Sequence, residues 1–259
     1  MSVPPPLSIL ERIELERLTE DNGFGLPRGE MAGWHAFGAL AVPHRLWVAK
    51  AGPQWLVGLS HPGVMAELLV DTAAAPVSCP DGTPAVATVE LGPLIRRTMR
   101  LAKTLPTAPL DRFAAETQRL PKTTEAERLV VQRVGQDIFR HALLAYWNGS
   151  CPLSGIAHPR LLRASHMRPW ARCASDAERL DVHNGLLLAA HLDAAFDAGL
   201  VSFDNAGALL VSAALQAADA ERLGLAGLQR LEGLRPAHMP YLAFHREWVF
   251  ERPGTSAQR

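Results

Sequence analysis

One stretch of the sequence, residues 151–211, constrains the fold more than any other. It contains an apolar run that ends at His166 and is stopped by a Pro-Trp corner. A second apolar run follows the turn Asn184-Gly185, and a polar helix start at 191–193 comes next. Short apolar runs bounded by turn residues predict strands, and the segment after them has the pattern of a short amphipathic helix. We therefore predict a β-hairpin closed by a helix, which brings His166, Asn184 and residues 191–193 onto one patch.

The same stretch carries short motifs in a distinctive order. They are Cys151-Pro152-Leu153-Ser154-Gly155, Ala164-Ser165-His166-Met167-Arg168-Pro169-Trp170, Asn184-Gly185-Leu186-Leu187-Leu188 and Asp193-Ala194-Ala195-Phe196-Asp197-Ala198-Gly199-Leu200. In this order they resemble the HNH endonuclease family, and more closely its restriction-type branch, which has a ββα-metal finger. The likeness extends upstream to residues 132–140 and downstream to 241–247, so it covers roughly the C-terminal half. The resemblance implies an enzyme that hydrolyses phosphodiester bonds in DNA.

The rest of the chain is long enough for a second domain. With 259 residues the chain can form two modest domains, each with its own core. Apolar runs separated by Pro and Gly predict strands between residues 34 and 60, whereas a Pro-rich segment interrupts the periodicity before residue 123. We predict an α+β chain with three parts. They are a small α+β domain for DNA targeting over 1–105, a linker over 106–122, and a ββα-metal HNH nuclease domain over 123–259.

Charge and cysteine content limit the other classes of function. Lys and Arg balance Asp and Glu at 26 each, so any nucleic-acid binding must come from local basic clusters. Cys79, Cys151 and Cys173 match neither a disulfide framework nor a zinc knuckle. Some relatives hold a structural zinc with paired cysteines, but here only Cys151 lies at a suitable position, so we expect none. We find no signal peptide and no membrane span, and expect a cytoplasmic protein.

The resemblance assigns the reaction to a small set of residues. Hydrolysis of a phosphodiester requires an activated water and stabilisation of the developing negative charge. A neutral imidazole is a suitable base because its pKa lies near the working pH, and the resemblance assigns that role to His166. Asn184 corresponds to the middle letter of HNH. In the family this residue either fixes the loop that carries the histidine or contacts the metal.

This sequence departs from the family pattern at the residue that corresponds to the third letter of HNH. Asp193 stands where histidine is usual, and His191 lies two residues earlier. We predict Asp193 as the metal ligand, with His191 second and Asn184 as a further candidate. Since carboxylates suit hard ions, the expected cofactor is Mg²⁺, with Mn²⁺, Ni²⁺ or Zn²⁺ as alternatives. Asp193 and His191 can both bind only if the helix starts between them. Asp197 is interpreted as a helix-surface carboxylate or one that supports the ligands.

Basic and aromatic side chains surround the predicted base. Four arginines flank His166, and Arg168 is the strongest candidate for clamping a phosphate; an ordinary solvated loop is the alternative. The other three are Arg160, Arg163 and Arg172. We interpret Trp170 as a packing corner and His245 as a residue that supports the finger, with a phosphate contact also open.

The sequence of the N-terminal half does not identify which DNA the protein recognises. Its aromatic residues could line a pocket for a modified base or simply fill a β core; they are Trp34, Phe37, Trp47 and Trp55.

The favoured hypothesis is a metal-dependent endonuclease in restriction or defence against foreign DNA. The alternatives are an inactive DNA-binding or interaction protein that keeps the HNH scaffold, and a toxin-like nuclease. DNA is the expected partner and no membrane is involved. A homodimer remains open, because cutting both strands needs two copies or two nicks.

Overall fold

The chain forms two compact units, residues 1–105 and 106–259, in the computed structural model. The structure describes residues 4–105, 107–121, 124–228 and 230–251. Helices and strands are mixed in it, and this confirms the predicted α+β class. Residues 252–259, the end of the predicted nuclease domain, lie outside the described residues. None of the helices described has the length and apolar character needed to cross a membrane.

The first unit contains a six-stranded antiparallel sheet with helices before, within and after it. The strand order is β1-β2-β3-β4-β6-β5. In chain order the elements are α1 (Ile9–Asp21), β1 (Leu26–Met31), β2 (Trp34–Gly38), β3 (Leu46–Ala51), β4 (Gln54–Leu59), α2 (Pro62–Asp71), β5 (Ala74–Ser78), β6 (Pro84–Thr88) and α3 (Leu91–Ala102). The alternating and apolar runs between 34 and 60 therefore predicted three of the strands.

The aromatic residues of this unit belong to its core. Trp34, Phe37, Trp47 and Trp55 are only 3 to 6% exposed. Trp34 and Trp47 lie in one apolar cluster, together with Leu56 and Cys79. A pocket for a modified base built from these four side chains is therefore contradicted. Their large apolar surfaces are removed from water instead, which stabilises the sheet.

The second unit begins with a helix where a linker was predicted. Its elements are α4 (Ala108–Thr117), α5 (Glu125–Tyr146), β7 (Leu162–His166), α6 (Asp176–Leu180), β8 (Gly185–Ala189), α7 (Ala190–Asp197), β9 (Val201–Phe203), β10 (Leu209–Val211), α8 (Ala217–Arg222) and α9 (Met239–Trp248). The predicted linker, of which residues 106 and 122 lie outside the described residues, is thus mostly α4. Pro109 stands in the first turn, where a missing N–H costs nothing, and Phe113 is buried.

Helix α5 is the base on which the hairpin packs. Its start is the predicted capping box: the Thr124 and Glu127 side chains each accept a hydrogen bond from the other residue's backbone N–H. On β8, a Cβ added to Gly185 would lie 2.5 Å from Phe139 Cζ and 2.7 Å from Leu143 Cδ1. Only glycine therefore lets the strand approach α5 this closely.

Candidate active site

Strands β7 and β8 form an antiparallel hairpin, and α7 follows β8 directly. His166, the last residue of β7, lies opposite Gly185, the first of β8. The structure therefore contains the strand-strand-helix order that the sequence predicts. Because His166 ends its strand, its ring lies at the rim of the hairpin rather than in its middle.

The ring of His166 is held by stacking and by one hydrogen bond. It stacks on Phe139 of α5, with ring centroids 3.9 Å apart and planes 15° apart. Its Nε2 lies 2.9 Å from the carbonyl oxygen of Arg179. A carbonyl oxygen can only accept, so Nε2 carries the hydrogen and Nδ1 keeps a free lone pair. Burial lowers the pKa of His166 to about 4, and the ring is therefore neutral at pH 7.

His166 borders an open cavity of about 380 Å³. The residue is partly exposed, so a water molecule or substrate can reach it. The lining of the cavity combines the hairpin, helix α7 and the last helix α9 with its end. The other lining residues are Gln136, Ala164, Pro169, Trp170, Asp197, His245 and Val249.

Two carboxylates face this region from one side of α7. Asp193 and Asp197 are four residues apart, one helical turn, and the hydroxyl of Ser165 donates to Asp193 Oδ1. Burial of the carboxyl group, together with the negative charge of Asp193, raises the pKa of Asp197 to about 6. Neither carboxylate pairs with Lys or Arg within the described part of the chain. Two mutually repelling carboxylates without a counter-ion fit a divalent cation.

The protein supplies few side-chain ligands to a metal at this site. Among the residues that the structure describes, no three His, Cys, Asp or Glu side chains form a metal-binding cluster. A cation such as Mg²⁺ usually keeps several waters and takes only one or two carboxylates, so this donor set suits Mg²⁺ better than a softer ion. Asp197, interpreted from the sequence as peripheral, is therefore the second candidate ligand, and its i,i+4 spacing from Asp193 was the signal.

The structure does not bring His191 and Asp193, the two predicted metal ligands, to the same side of α7. Helix α7 begins at Ala190, before both His191 and Asp193, so the helix does not start between them. Two residues apart on a helix, side chains are about 200° apart and point to opposite sides. His191 is accordingly exposed, away from the contact that Asp193 makes with Ser165.

Asn184 holds the loop after His166 rather than a metal. Its Oδ1 accepts from the backbone N–H of Arg168 at 2.8 Å, and its Nδ2 donates to the carbonyl oxygens of Arg168 and Glu178. The side chain is fully buried and its polar atoms are occupied. The prediction of a metal contact is therefore contradicted, and the alternative expected from the family, fixing the loop, is what the geometry supports.

Arg168 is also occupied within the protein. Its guanidinium pairs with Glu178 at 2.9 Å and lies over the rings of Phe244 and Tyr241, 4.6 and 5.7 Å from their centroids. A guanidinium held by a carboxylate and two rings is not free to clamp a phosphate. The predicted catalytic role of Arg168 is thus corrected to one in packing α9 against the loop.

The other arginines near the hairpin are more exposed. Arg163 donates to the carbonyl oxygens of Arg160 and Leu162. Arg160 and Arg172 are exposed, and neither guanidinium has a partner among the described residues. These three side chains, rather than Arg168, are the ones available to phosphate groups.

Sequence reasoning missed Arg179, whose carbonyl orients the His166 ring. The Arg179 guanidinium fixes the turn before it, because it donates to the carbonyl oxygens of Trp170 and Cys173 and pairs with Asp176. Ser175 caps the short helix α6 that carries this residue. The spacing of Ser175 and Glu178 was the available signal for that helix.

His245 supports the finger from α9, as predicted. Its Nε2 lies 3.1 Å from the carbonyl oxygen of Phe196, so Nε2 is the donor, and Nδ1 accepts from the Ser202 hydroxyl at 3.0 Å. The ring also stacks on Phe196. Both nitrogens are occupied and the residue is 1% exposed, which leaves no group for a phosphate contact.

Comparison with known proteins agrees with this geometry. A family model described as HNH endonuclease matches residues 151–204, the segment that contains β7, β8 and α7. No curated protein matches the chain. The match covers the hairpin, the helix and both candidate carboxylates. The segment that builds this site therefore belongs to the HNH endonuclease family.

Proposed function

We propose that this protein is a metal-dependent DNA endonuclease that acts in restriction or another defence against foreign DNA. Its HNH domain indicates nuclease activity in general. The observation that carries the proposal is the free Nδ1 of His166, which borders the same cavity as Asp197. A base beside a pair of carboxylates is the arrangement that phosphodiester hydrolysis needs.

The chain's own residues account for the proton and for the position of the base. Nδ1 of His166 takes a proton from the attacking water, whose oxygen forms the new bond to phosphorus while the bond to the 3′ oxygen breaks. Solvent then protonates the leaving oxygen. The Arg179 carbonyl keeps Nε2 protonated, so the other nitrogen stays available. Asn184 supports this geometry from behind by fixing the loop between His166 and α6.

Asp193 and Asp197 are the residues that would hold the divalent cation, with the Ser165 hydroxyl orienting Asp193. When bound, such a cation stabilises negative charge on the phosphate and on the leaving oxygen. Mg²⁺ is the proposed ion because both protein donors are carboxylates. Arg160, Arg163 and Arg172 are proposed to contact neighbouring phosphates.

The alternative is an inactive DNA-binding or interaction protein that keeps the HNH scaffold. Two observations favour it. Burial lowers the pKa of His166 to about 4, which makes a weaker base than an imidazole in water, and among the described residues only one carboxylate, Asp197, lines the cavity. A bound anionic substrate favours the protonated His166 ring, whereas a bound cation favours the neutral ring. A direct assay therefore has to decide between the two functions.

The deciding experiment incubates the purified protein with Mg²⁺ or Mn²⁺ and duplex DNA that carries unmodified, 5-methyl- or 5-hydroxymethylcytosine. We expect cleavage that requires metal and is lost in His166→Ala, which retains DNA binding. Equal cutting of all three substrates would remove selection by base modification but keep the nuclease. No cutting of any substrate by the parent protein, with DNA binding intact, would favour the scaffold alternative. The ratio of nicked to linear plasmid reports whether the protein cuts one strand or both.

A further inference from the structure

The first unit has a cavity of about 450 Å³ at one end of its sheet. It lies where the loop between β2 and β3 approaches β1, the end of β4 and the turn at Asp81. Its volume is within the usual range of small-ligand pockets, about 300–1,000 Å³. Two arginines, one histidine and one serine contribute side chains to its lining; they are Arg28, Arg45, His44 and Ser60.

Arg28 reaches the cavity through two local features. The register of β1 against β2 shifts between Pro27 and Glu30, so Arg28 lies in a β-bulge, next to Gly29 with a φ of 97°. Bulges of this kind change the direction of a side chain. In addition, a Cβ on Gly38 would lie 2.8 Å from Arg28 Nε, so a larger residue there would displace the Arg28 side chain from its present position.

Arg45 is fixed on the neighbouring strand edge. Its guanidinium lies 5.4 Å from the centroid of the Trp47 ring, and its backbone N–H donates to the Ser60 hydroxyl at 2.8 Å. Stacking on an indole leaves the N–H edge of a guanidinium open to an anion. The Trp47 indole in turn donates to Asp81 Oδ2 at 2.6 Å, which fixes the ring.

The charges of the two arginines are not neutralised inside the protein. Asp81 is the carboxylate in the lining, and its oxygens accept from the Trp47 indole and from the Thr83 backbone N–H. Within the described residues, neither Arg28 nor Arg45 forms an ion pair, whereas Arg12, Arg17, Lys50 and Arg97 of the same unit do. Two unpaired guanidiniums at one cavity are a typical arrangement for phosphate recognition.

We propose that this cavity, with Arg28 and Arg45, binds the phosphate group of a nucleotide, either within a polynucleotide or free in solution. The inference goes beyond the proposed nuclease function, because the site lies in the other unit and needs no cleavage. It gives the first unit a binding role in which a core aromatic, Trp47, positions an arginine and does not contact a base. The two sources of the phosphate are distinguished by the experiment.

The experiment measures binding by the full-length protein without divalent metal, so that no cleavage takes place. The probes are a fluorescent 30-mer duplex, deoxyadenosine monophosphate and inorganic phosphate. The test variant is Arg28→Gln with Arg45→Gln, and the matched control is Arg17→Gln, an exposed arginine on α1 of the same unit. Because both test arginines are exposed, the fold should persist. If the double variant does not fold, the single variants R28Q and R45Q decide the result.

With a polynucleotide ligand, the double variant should bind the duplex at least about tenfold more weakly, and the slope of log affinity against log salt should fall by about 2. With a free nucleotide as ligand, duplex binding stays unchanged while binding of the monophosphate or of inorganic phosphate is lost. Either result supports the site. If no probe binds the double variant differently from Arg17→Gln, the proposal is overturned.

Discussion

Two histidines of the second unit have very similar surroundings. His166 stacks on Phe139 and donates from Nε2 to the carbonyl oxygen of Arg179. His245 stacks on Phe196, with centroids 3.7 Å and planes 6° apart, and donates from Nε2 to the carbonyl oxygen of the same Phe196. Burial lowers the pKa of each ring to about 4. Both are therefore neutral, oriented imidazoles at pH 7.

The two sites differ at Nδ1. In His245 this atom accepts from the Ser202 hydroxyl, and the ring is 1% exposed. In His166 it has no partner among the described residues, and the ring borders an open cavity. A stacked, neutral imidazole is thus a structural residue when both nitrogens are bonded, and a candidate base when one lone pair reaches solvent.

The largest expected effect comes from changing each histidine to glutamine. His166→Gln should lower the cleavage rate by about 10²–10⁴-fold, because it removes a general base, and should lower stability less than His245→Gln, because His166 makes one hydrogen bond and His245 makes two. His245→Gln should leave the rate of the folded protein within a few-fold but lower the free energy of unfolding by about 1–3 kcal/mol, because buried hydrogen bonds are lost. Single-turnover cleavage and chemical denaturation measure the two quantities. Equal rate losses in both variants would remove the distinction between base and support.

The second largest effect is expected from the candidate carboxylates of α7, Asp193 and Asp197. Asp193→Asn should raise the Mg²⁺ concentration for half-maximal activity about 10- to 100-fold, because the cation loses a charged donor. It should also abolish the Mg²⁺-dependent rise in thermal stability, a readout that needs no catalysis.

Asp219→Asn is the control for that prediction, since Asp219 lies on α8 in an ion pair with Arg222. It should respond to Mg²⁺ like the parent protein. A thermal response that survives in Asp193→Asn would place the cation elsewhere.

The smallest expected effect is on stability against pH. The pKa of His245 is about 4 in the folded protein and 6.5 when unperturbed, so between these values the unfolded chain binds more protons. The contribution of the neutral His245 ring to the free energy of unfolding is fully present above pH 6.5. It should fall by on the order of 2 kcal/mol as the pH drops to 4. Asp197, whose pKa is raised to about 6, acts in the opposite direction.

The difference between the parent and His245→Gln denaturation curves isolates the histidine contribution from that of Asp197. The two curves should diverge as the pH rises from 4 to 6.5. Parallel curves over this range would mean that His245 is not held neutral by burial.

The parts of this site that follow from local sequence were predictable. Apolar runs and an Asn-Gly turn predicted the hairpin, and Thr124 with Glu127 predicted the start of α5. Each of these depends on neighbours within a few residues, which a single sequence displays.

What the sequence did not reveal depends on contacts between distant segments. Arg168 has a partner in Glu178 and two more in α9, so a basic residue beside His166 was occupied rather than free. The acceptor that orients His166 is a backbone carbonyl, at Arg179, and a carbonyl has no residue signature. The four core tryptophan and phenylalanine residues of the first unit could likewise not be told from pocket residues before their burial was known.

The stacking of His166 on Phe139 has a consequence for where the working unit begins and ends. Phe139 belongs to α5, and the ring that braces Phe196 comes from α9, whereas the family match runs only from residue 151 to 204. A peptide trimmed to the matched segment would keep both candidate carboxylates and lose the aromatic ring on which His166 stacks. The smallest autonomous unit that carries this candidate site must therefore be larger than the matched segment, with one flanking helix on each side.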